Sequence, residues 1–218
     1  MSQLIFKFPF KAEYFKHDFY VSSNNFPAYK LIESWPRWPG KCLNVFGTAG
    51  SGKTHLSKIL EKKIQNVKLI DAENVNNKLI QELNNFKCLI IDGFKNNIDE
   101  KLLYSIFNQS KQLDNYLVIN SSVSIKELNF KLNDLKSRVN SFIFIGIDLP
   151  TDDLLQVIIT KAFSDKQISL SPKISEYIIK NVERSYDKTF KFLKDVDELS
   201  LSTGKSININ LIKKVLNK

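Results

Sequence analysis

The sequence predicts an α/β fold, a parallel five-stranded sheet between helices, followed by a small all-α domain. Three observations lead there. Five short apolar runs alternate with amphipathic stretches between residues 42 and 147, strand character stops after Pro150, and a glycine-rich run opens the first amphipathic stretch. With 218 residues the chain is long enough for one large α/β domain with a small appendage and too short for a multi-module enzyme.

Taken in order, residues 1–24 read as an extended N-terminal arm, because the alternation of Phe6, Phe8 and Phe10 is broken by Pro9 and the later aromatics, including Phe19 and Tyr20, follow no period. The first domain then covers 25–150. It opens with a short helix, begun at Asn25 and Pro27 and stopped by Pro36 and Pro39. The apolar runs Cys42–Phe46, Val67–Ile70, Cys88–Ile91, Tyr116–Ile119 and Phe142–Ile147 are predicted strands. The stretches 53–64, 74–86, 99–112 and 125–139 between them have helical spacing, and such alternation implies a parallel sheet with helices on both faces. The second domain, 151–218, has helical spacing over 152–166, 172–184, 186–202 and 209–217, with Thr151 and Ser171 as N-caps, Pro172 at a first helical position and Gly204 as a C-cap.

Composition narrows the function. The hydrophobic fraction of 43% with 25% charged residues excludes a wholly disordered chain. No apolar stretch approaches the ~18 residues of a membrane span and the start lacks a secretory pattern, so a cytoplasmic protein without a membrane partner is expected. Cys42 and Cys88 lie in apolar runs, which argues against a disulfide framework, and with His17 and His55 as the only histidines no zinc-binding spacing occurs. The formal charge of +9 would suggest a polyanionic partner, but almost every basic residue is lysine amid abundant Asn and Ile, as in A+T-biased coding. Arg37, Arg138 and Arg184 are the only arginines, so each is more informative than a lysine.

The run Gly47-Thr48-Ala49-Gly50-Ser51-Gly52-Lys53-Thr54 fits G-x-x-x-x-G-K-[ST] between a strand and a helix, the setting a phosphate-binding loop requires. The glycines let backbone N–H groups turn toward phosphate oxygens. Lys53 would reach the β- and γ-phosphates, and the Thr54 hydroxyl would ligate Mg²⁺. The strand Lys87–Asp92 ends in a carboxylate suited to hold a magnesium-bound water, which makes Asp92 the candidate Walker-B acid. The next position, where many P-loop hydrolases carry a second, water-polarising acid, is Gly93, so intrinsic hydrolysis should be weak or absent.

On these residues the chain resembles AAA+ proteins of the replication-initiator branch, the DnaA/Hda group, over nearly its whole length. The resemblance rests on the loop 47–54, the strand ending at Asp92, the Val118-Ile119-Asn120-Ser121-Ser122 turn at the sensor 1 position, the segment Leu135-Lys136-Ser137-Arg138-Val139 and the helical lid. It implies that Asn120 and the Tyr20-Val21 segment contribute to an adenine-nucleotide site for ADP or ATP with Mg²⁺, and that Arg138 is a finger acting in trans in a neighbour's nucleotide site. Lys188 falls where the family's sensor 2 presents arginine, and a lysine cannot make a bidentate contact. It is either that sensor or a solvated charge. Arg138 has an alternative as well, an i,i+4 pair with Asp134.

Gln3-Leu4-Ile5-Phe6-Lys7-Phe8 resembles the peptide by which Hda-like proteins hold the DNA sliding clamp, and this brings the chain nearest to the Hda family. The other reading of Gln3, Leu4, Ile5, Phe6 and Phe8 is a strand on the chain's own core. The chain reaches Lys218 without the helix-turn-helix module of the initiator, so contact with DNA is expected through the clamp. The resemblance therefore implies a nucleoid-associated regulator that stimulates ATP hydrolysis by DnaA, with DnaA and the clamp as partners and room for a homo-oligomer. The alternative is an AAA+ adaptor, like a helicase loader or an initiator-like ATPase, that assembles on single-stranded DNA.

Overall fold

The computed structural model describes residues 19–216. These fall into two compact units that divide between Asp148 and Leu149, each with its own core. In the first, helix α1 (Phe26–Glu33) precedes strand β1 (Cys42–Phe46), helix α2 (Lys53–Glu61), strand β2 (Val67–Asp71) and helix α3 (Lys78–Glu82). Strand β3 (Cys88–Phe94), helix α4 (Glu100–Gln112), strand β4 (Tyr116–Ser121), helix α5 (Asn133–Val139) and strand β5 (Ile143–Gly146) complete it. The strands are the five expected ones, all parallel, in the order β2-β3-β4-β1-β5.

Each strand feeds two cores by period-2 alternation. In β3, Leu89 and Ile91 pack with Leu103 and Ile106 of α4 and Leu135 of α5. Cys88 and Ile90 pack on the opposite face with Ile32 of α1 and Leu56 and Leu60 of α2. Helices on both faces explain why the strands carry apolar residues on both sides.

Two helices are much shorter than their spacing predicts. Within 74–86 only Lys78–Glu82 is α-helical, flanked by 3-10 turns at Ala72–Asn74 and Leu83–Asn85. Asparagine is the cause: Asn76 Oδ1 accepts from Lys78 N at 3.0 Å and its Nδ2 donates to the Asn74 carbonyl at 3.0 Å, local bonds that compete with helix propagation. Within 125–139 a 3-10 turn at Ile125–Glu127 precedes α5 (Asn133–Val139). The Lys131 and Leu132 amides donate instead to the Glu100 carboxylate at 2.8–2.9 Å, so the helix starts only after them.

The second unit contains α6 (Asp152–Ser164), α7 (Pro172–Asn181), α8 (Tyr186–Thr203) and α9 (Ile209–Leu216) around Leu155, Ile159, Phe163, Ile178, Val196 and Ile212. Thr151 caps α6 through Leu154 N at 3.4 Å, and Gly204 ends α8 in the left-handed region at φ 64°. Ser171 precedes α7 but makes no side-chain capping bond. Among the described residues no helix is long and apolar enough to cross a membrane.

Candidate functional site

Strand β1 lies between β4 and β5, so the loop 47–54 leaves the carboxyl edge of the sheet at the point where strand order reverses, where ligands of open α/β sheets bind. Backbone conformation explains its glycines. A Cβ on Gly47 (φ 155°) would stand 2.8 Å from the Ile147 carbonyl oxygen at the end of β5. Gly52 (φ 96°) is the N-cap of α2, and a Cβ there would lie 2.8 Å from the Phe19 ring. Thr48, Ala49 and Gly50 form the exposed crest and Ser51 is buried. The loop therefore presents backbone at the amino end of α2, where the helix dipole favours an anion.

The Lys53 ammonium folds over this loop and donates to the carbonyls of Gly47 at 2.6 Å and Thr48 at 2.8 Å, and to Ser51 Oγ at 3.3 Å. Burial holds its pKa below the ordinary lysine range, and the Asp92 carboxylate pulls partly the other way. A phosphate would give this half-desolvated cation a charged partner in place of carbonyl dipoles.

Behind the loop a polar cluster joins three elements. Thr54 Oγ1 donates to Asp92 Oδ2 at 2.6 Å, and Asn120 Nδ2 donates to Asp92 Oδ1 at 2.9 Å and to Ser57 Oγ at 2.8 Å. Gly93 N also donates to Asp92 Oδ1, at 3.0 Å. Asn120 is fully buried and its Oδ1 has no hydrogen-bond partner among the described residues. Strand β3 bulges between Ile91 and Phe94, with Gly93 at φ 71°, which turns the Asp92 carboxylate toward Thr54. Among the described residues no group of three or more His, Cys, Asp or Glu could hold a metal by itself. The adjacent hydroxyl and carboxylate oxygens of Thr54 and Asp92 suit a magnesium ion that brings its other ligands from a nucleotide and water.

The segment before α1 is pinned beside the loop. Asn24 Nδ2 donates to the Asp148 carbonyl at 3.3 Å and Asp148 N donates back to the Asn24 carbonyl at 3.2 Å. Asn25 Oδ1 accepts from Ser22 N and its Nδ2 donates to the Tyr20 carbonyl, both at 2.9 Å. Tyr20 is exposed, Val21 half-buried, and Phe19 stacks on Tyr29 with its ring edge-on to His55 of α2.

Arg138 stands in the last turn of α5, next to Cys42 at the amino edge of β1, the opposite edge from the loop. No ion pair with Asp134, or with any other described carboxylate, engages it. Lys188 is exposed in the first turn of α8, in the helical unit. Arg184 is held by Asp152 at 3.0–3.1 Å. The peptide Gln3–Phe8 lies outside the described residues. Sequence reasoning missed Ser57 and Phe19 as neighbours of the site. Ser57 falls one helical turn after Thr54, a signal too faint to use without knowing that Asn120 lies opposite.

Residues 152–216 match the family described as the lid domain of Hda. The chromosomal replication initiator protein DnaA of Buchnera aphidicola subsp. Cinara cedri is 26% identical over 232 residues, covering 93% of this chain and 52% of that protein. The chain thus spans about half the length of the curated relatives it matches. Domain III of Thermotoga maritima DnaA superposes with a TM-score of 0.76 at 18% identity, over 96% of this chain and 98% of that one. A DnaA structure bound to AMPPCP and single-stranded DNA gives 0.69 at 19% identity, over 88% of this chain and 66% of that one. The parallel sheet with its phosphate loop, the sequence similarity to DnaA and the match of the helical unit to the Hda lid together liken this chain to the AAA+ proteins of the DnaA/Hda branch.

Proposed function

We propose that the protein is an Hda-like regulator of replication initiation: it binds ADP or ATP with Mg²⁺ at the loop 47–54, docks on the sliding clamp through residues 3–8, and stimulates ATP hydrolysis in DnaA by inserting Arg138 in trans. The observation that carries this is the place of Arg138. It lies at the amino edge of the sheet while the chain's own phosphate loop leaves the carboxyl edge, and the five residues of β1 between them span about 15 Å. An arginine side chain cannot bridge that distance, so a finger here serves a second molecule. Its lack of a carboxylate partner among the described residues leaves the guanidinium ready for phosphate.

On the chain's own nucleotide, Lys53 and the loop bind the phosphates while Thr54 and Asp92 hold the ion that neutralises them. Asn120 orients the Asp92 carboxylate. Gly93 supplies no base, and its left-handed backbone disfavours any side chain that could. The bound nucleotide is therefore retained with little turnover and acts as a switch. The protein works in the cytoplasm with the replication machinery on the nucleoid. The deciding assay combines clamp-loaded DNA with DnaA–ATP: Arg138→Ala and Arg138→Lys should keep nucleotide and clamp binding and lose stimulated hydrolysis by about 10³-fold or more. Full stimulation by the alanine variant would remove Arg138 from the mechanism.

A second reading, an adaptor assembling on single-stranded DNA through its lysines, draws on the likeness to the DnaA structure bound to AMPPCP and single-stranded DNA. Steeply salt-dependent DNA binding that survives deletion of residues 1–8 would favour it.

A further inference from the structure

In the helical unit a groove of about 490 Å³ lies between the carboxyl end of α8 and helix α9. Local bonds hold its sides. Thr203 Oγ1 donates to the Leu199 carbonyl at 2.6 Å and Ser200 Oγ to the Lys205 carbonyl at 2.7 Å, which fixes the turn through Gly204 against α8. Asn208 Oδ1 accepts from Leu211 N at 3.0 Å and caps α9. Asn210 precedes Lys213 and Lys214 by three and four residues, so the three share one face of that helix. Leu211 is buried and Leu199 half-buried, whereas Lys205, Lys213 and Lys214 are exposed, so the groove offers a partner cations and amides and little apolar surface. No acid lines it: Asp195, Asp197 and Glu198 of α8 all stand outside. The three lysines have no ion-pair partner among the described residues, and Lys213 rests 5.9 Å over the Tyr177 ring. Elsewhere in the unit charges are matched, Arg184 by Asp152 and Lys166 by Asp197. A coding bias toward lysine raises lysine everywhere and does not explain why acids are absent from this one groove.

We infer that this groove holds the phosphate backbone of duplex DNA, without reading its sequence. Lysine and asparagine side chains are ordinary donors to phosphate oxygens. From Asn210 to Lys214 the helix rises about 6 Å, and a strand of the duplex carries a charge every ~3.4 Å of axis, so this face meets about two phosphates while Lys205 in the turn meets a further one. The groove has no arginine to grip a base edge, and the ring beside it, Tyr177, is covered by Lys213 and cannot stack a splayed base. Backbone contact with a duplex therefore fits better than a single strand. An acidic peptide fits less well, because the buried floor gives no pocket for the apolar anchors that normally carry such binding. The contact goes beyond the proposed function, in which DNA is reached through the clamp, and it depends on neither Arg138 nor residues 3–8.

The test uses the full chain without clamp or DnaA and a labelled duplex of about 20 base pairs, read by fluorescence anisotropy from about 50 mM salt upward. Lys213→Gln together with Lys214→Gln should weaken binding about tenfold or more and lower the slope of log affinity against log salt by about two, with the melting temperature unchanged. The corresponding pair of arginine substitutions should bind normally. Lys191→Gln with Lys194→Gln removes the same charge from exposed positions of α8 outside the groove and should change affinity by less than about twofold. If the Lys213 and Lys214 pair folds poorly, Lys205→Gln, in the turn, should still lower the slope by about one. Absence of duplex binding by the wild type, wild-type affinity in the groove variants, or equal weakening by the α8 pair would each overturn the groove. Tighter binding of a single strand of the same length would overturn the duplex in favour of the adaptor reading, and tighter binding of a polyglutamate peptide would do so in favour of an acidic protein. None of these outcomes bears on stimulated hydrolysis, which Arg138→Ala decides by itself.

Discussion

Asp92 commits both carboxylate oxygens, one to Thr54 and the other to Asn120 and Gly93, so its orientation depends on side chains that never touch phosphate. Ser57 is the remotest of these. Ser57→Ala removes one buried hydrogen bond from Asn120 and should cost about 1 kcal/mol in urea unfolding, with weaker magnesium-dependent nucleotide binding measured by calorimetry. Gly93 bears on the expected low turnover. Its φ of 71° disfavours any side chain although the space around it is open, so Gly93→Ala should lower stability by about 1–2 kcal/mol. Gly93→Glu should pay a similar cost and fail to create ATPase activity, which a phosphate-release assay would reveal. The thiols give a simpler check. Burial pushes Cys42 up to about 11 and Cys88 up to about 12, so at pH 8 both should resist alkylation in the folded protein and react at ordinary thiol rates in denaturant.

Helix α5, with seven residues, is too short to persist on its own, and its hold comes from α4. Asp99 caps α4 through the amides of Lys101 and Leu102, and the next residue, Glu100, accepts from the amides of Lys131 and Leu132 just before α5. The helix that carries Arg138 is thereby hung from the amino end of its neighbour. Those backbone bonds, the Lys131 amide first, hold the Glu100 carboxyl below the usual carboxylate range. A depressed folded value means the contribution is complete above the ordinary glutamate value of 4.5 and is lost as pH falls through the lower folded value. Stability of the wild type should therefore fall more steeply than that of Glu100→Gln when the pH is lowered from 5 to 3, as urea titrations would record. Glu100→Ala should speed amide exchange across 133–139 and reduce stimulated hydrolysis while leaving nucleotide binding intact. Residues 125–132 illustrate where periodicity misleads: their apolar spacing is helical, yet their amides are satisfied by a turn and by a carboxylate from another helix.

Across the whole molecule, nucleotide binding should register as stability. A ligand at one hundred times its dissociation constant adds about 2.7 kcal/mol to the fold that binds it. ADP with Mg²⁺ should accordingly raise the thermal midpoint of the wild type and leave that of Lys53→Ala unmoved. Much of the chain's architecture was set by the sequence alone. Apolar runs bounded by turns made five strands, one eight-residue run specified the phosphate loop, and Thr151, Pro172 and Gly204 punctuated the lid helices. These are features of neighbouring residues, where period, cap chemistry and glycine conformation act directly. The site behind the loop was different. Thr54, Ser57 and Asn120 converge on or beside Asp92 across separations of 28 to 63 residues, and Phe19 reaches Gly52 across the start of the fold. Only the order β2-β3-β4-β1-β5 brings β3, β4 and the loop together and leaves Arg138 at the far edge, because pairing between parallel strands is chosen by packing of whole faces and not by any local run of residues.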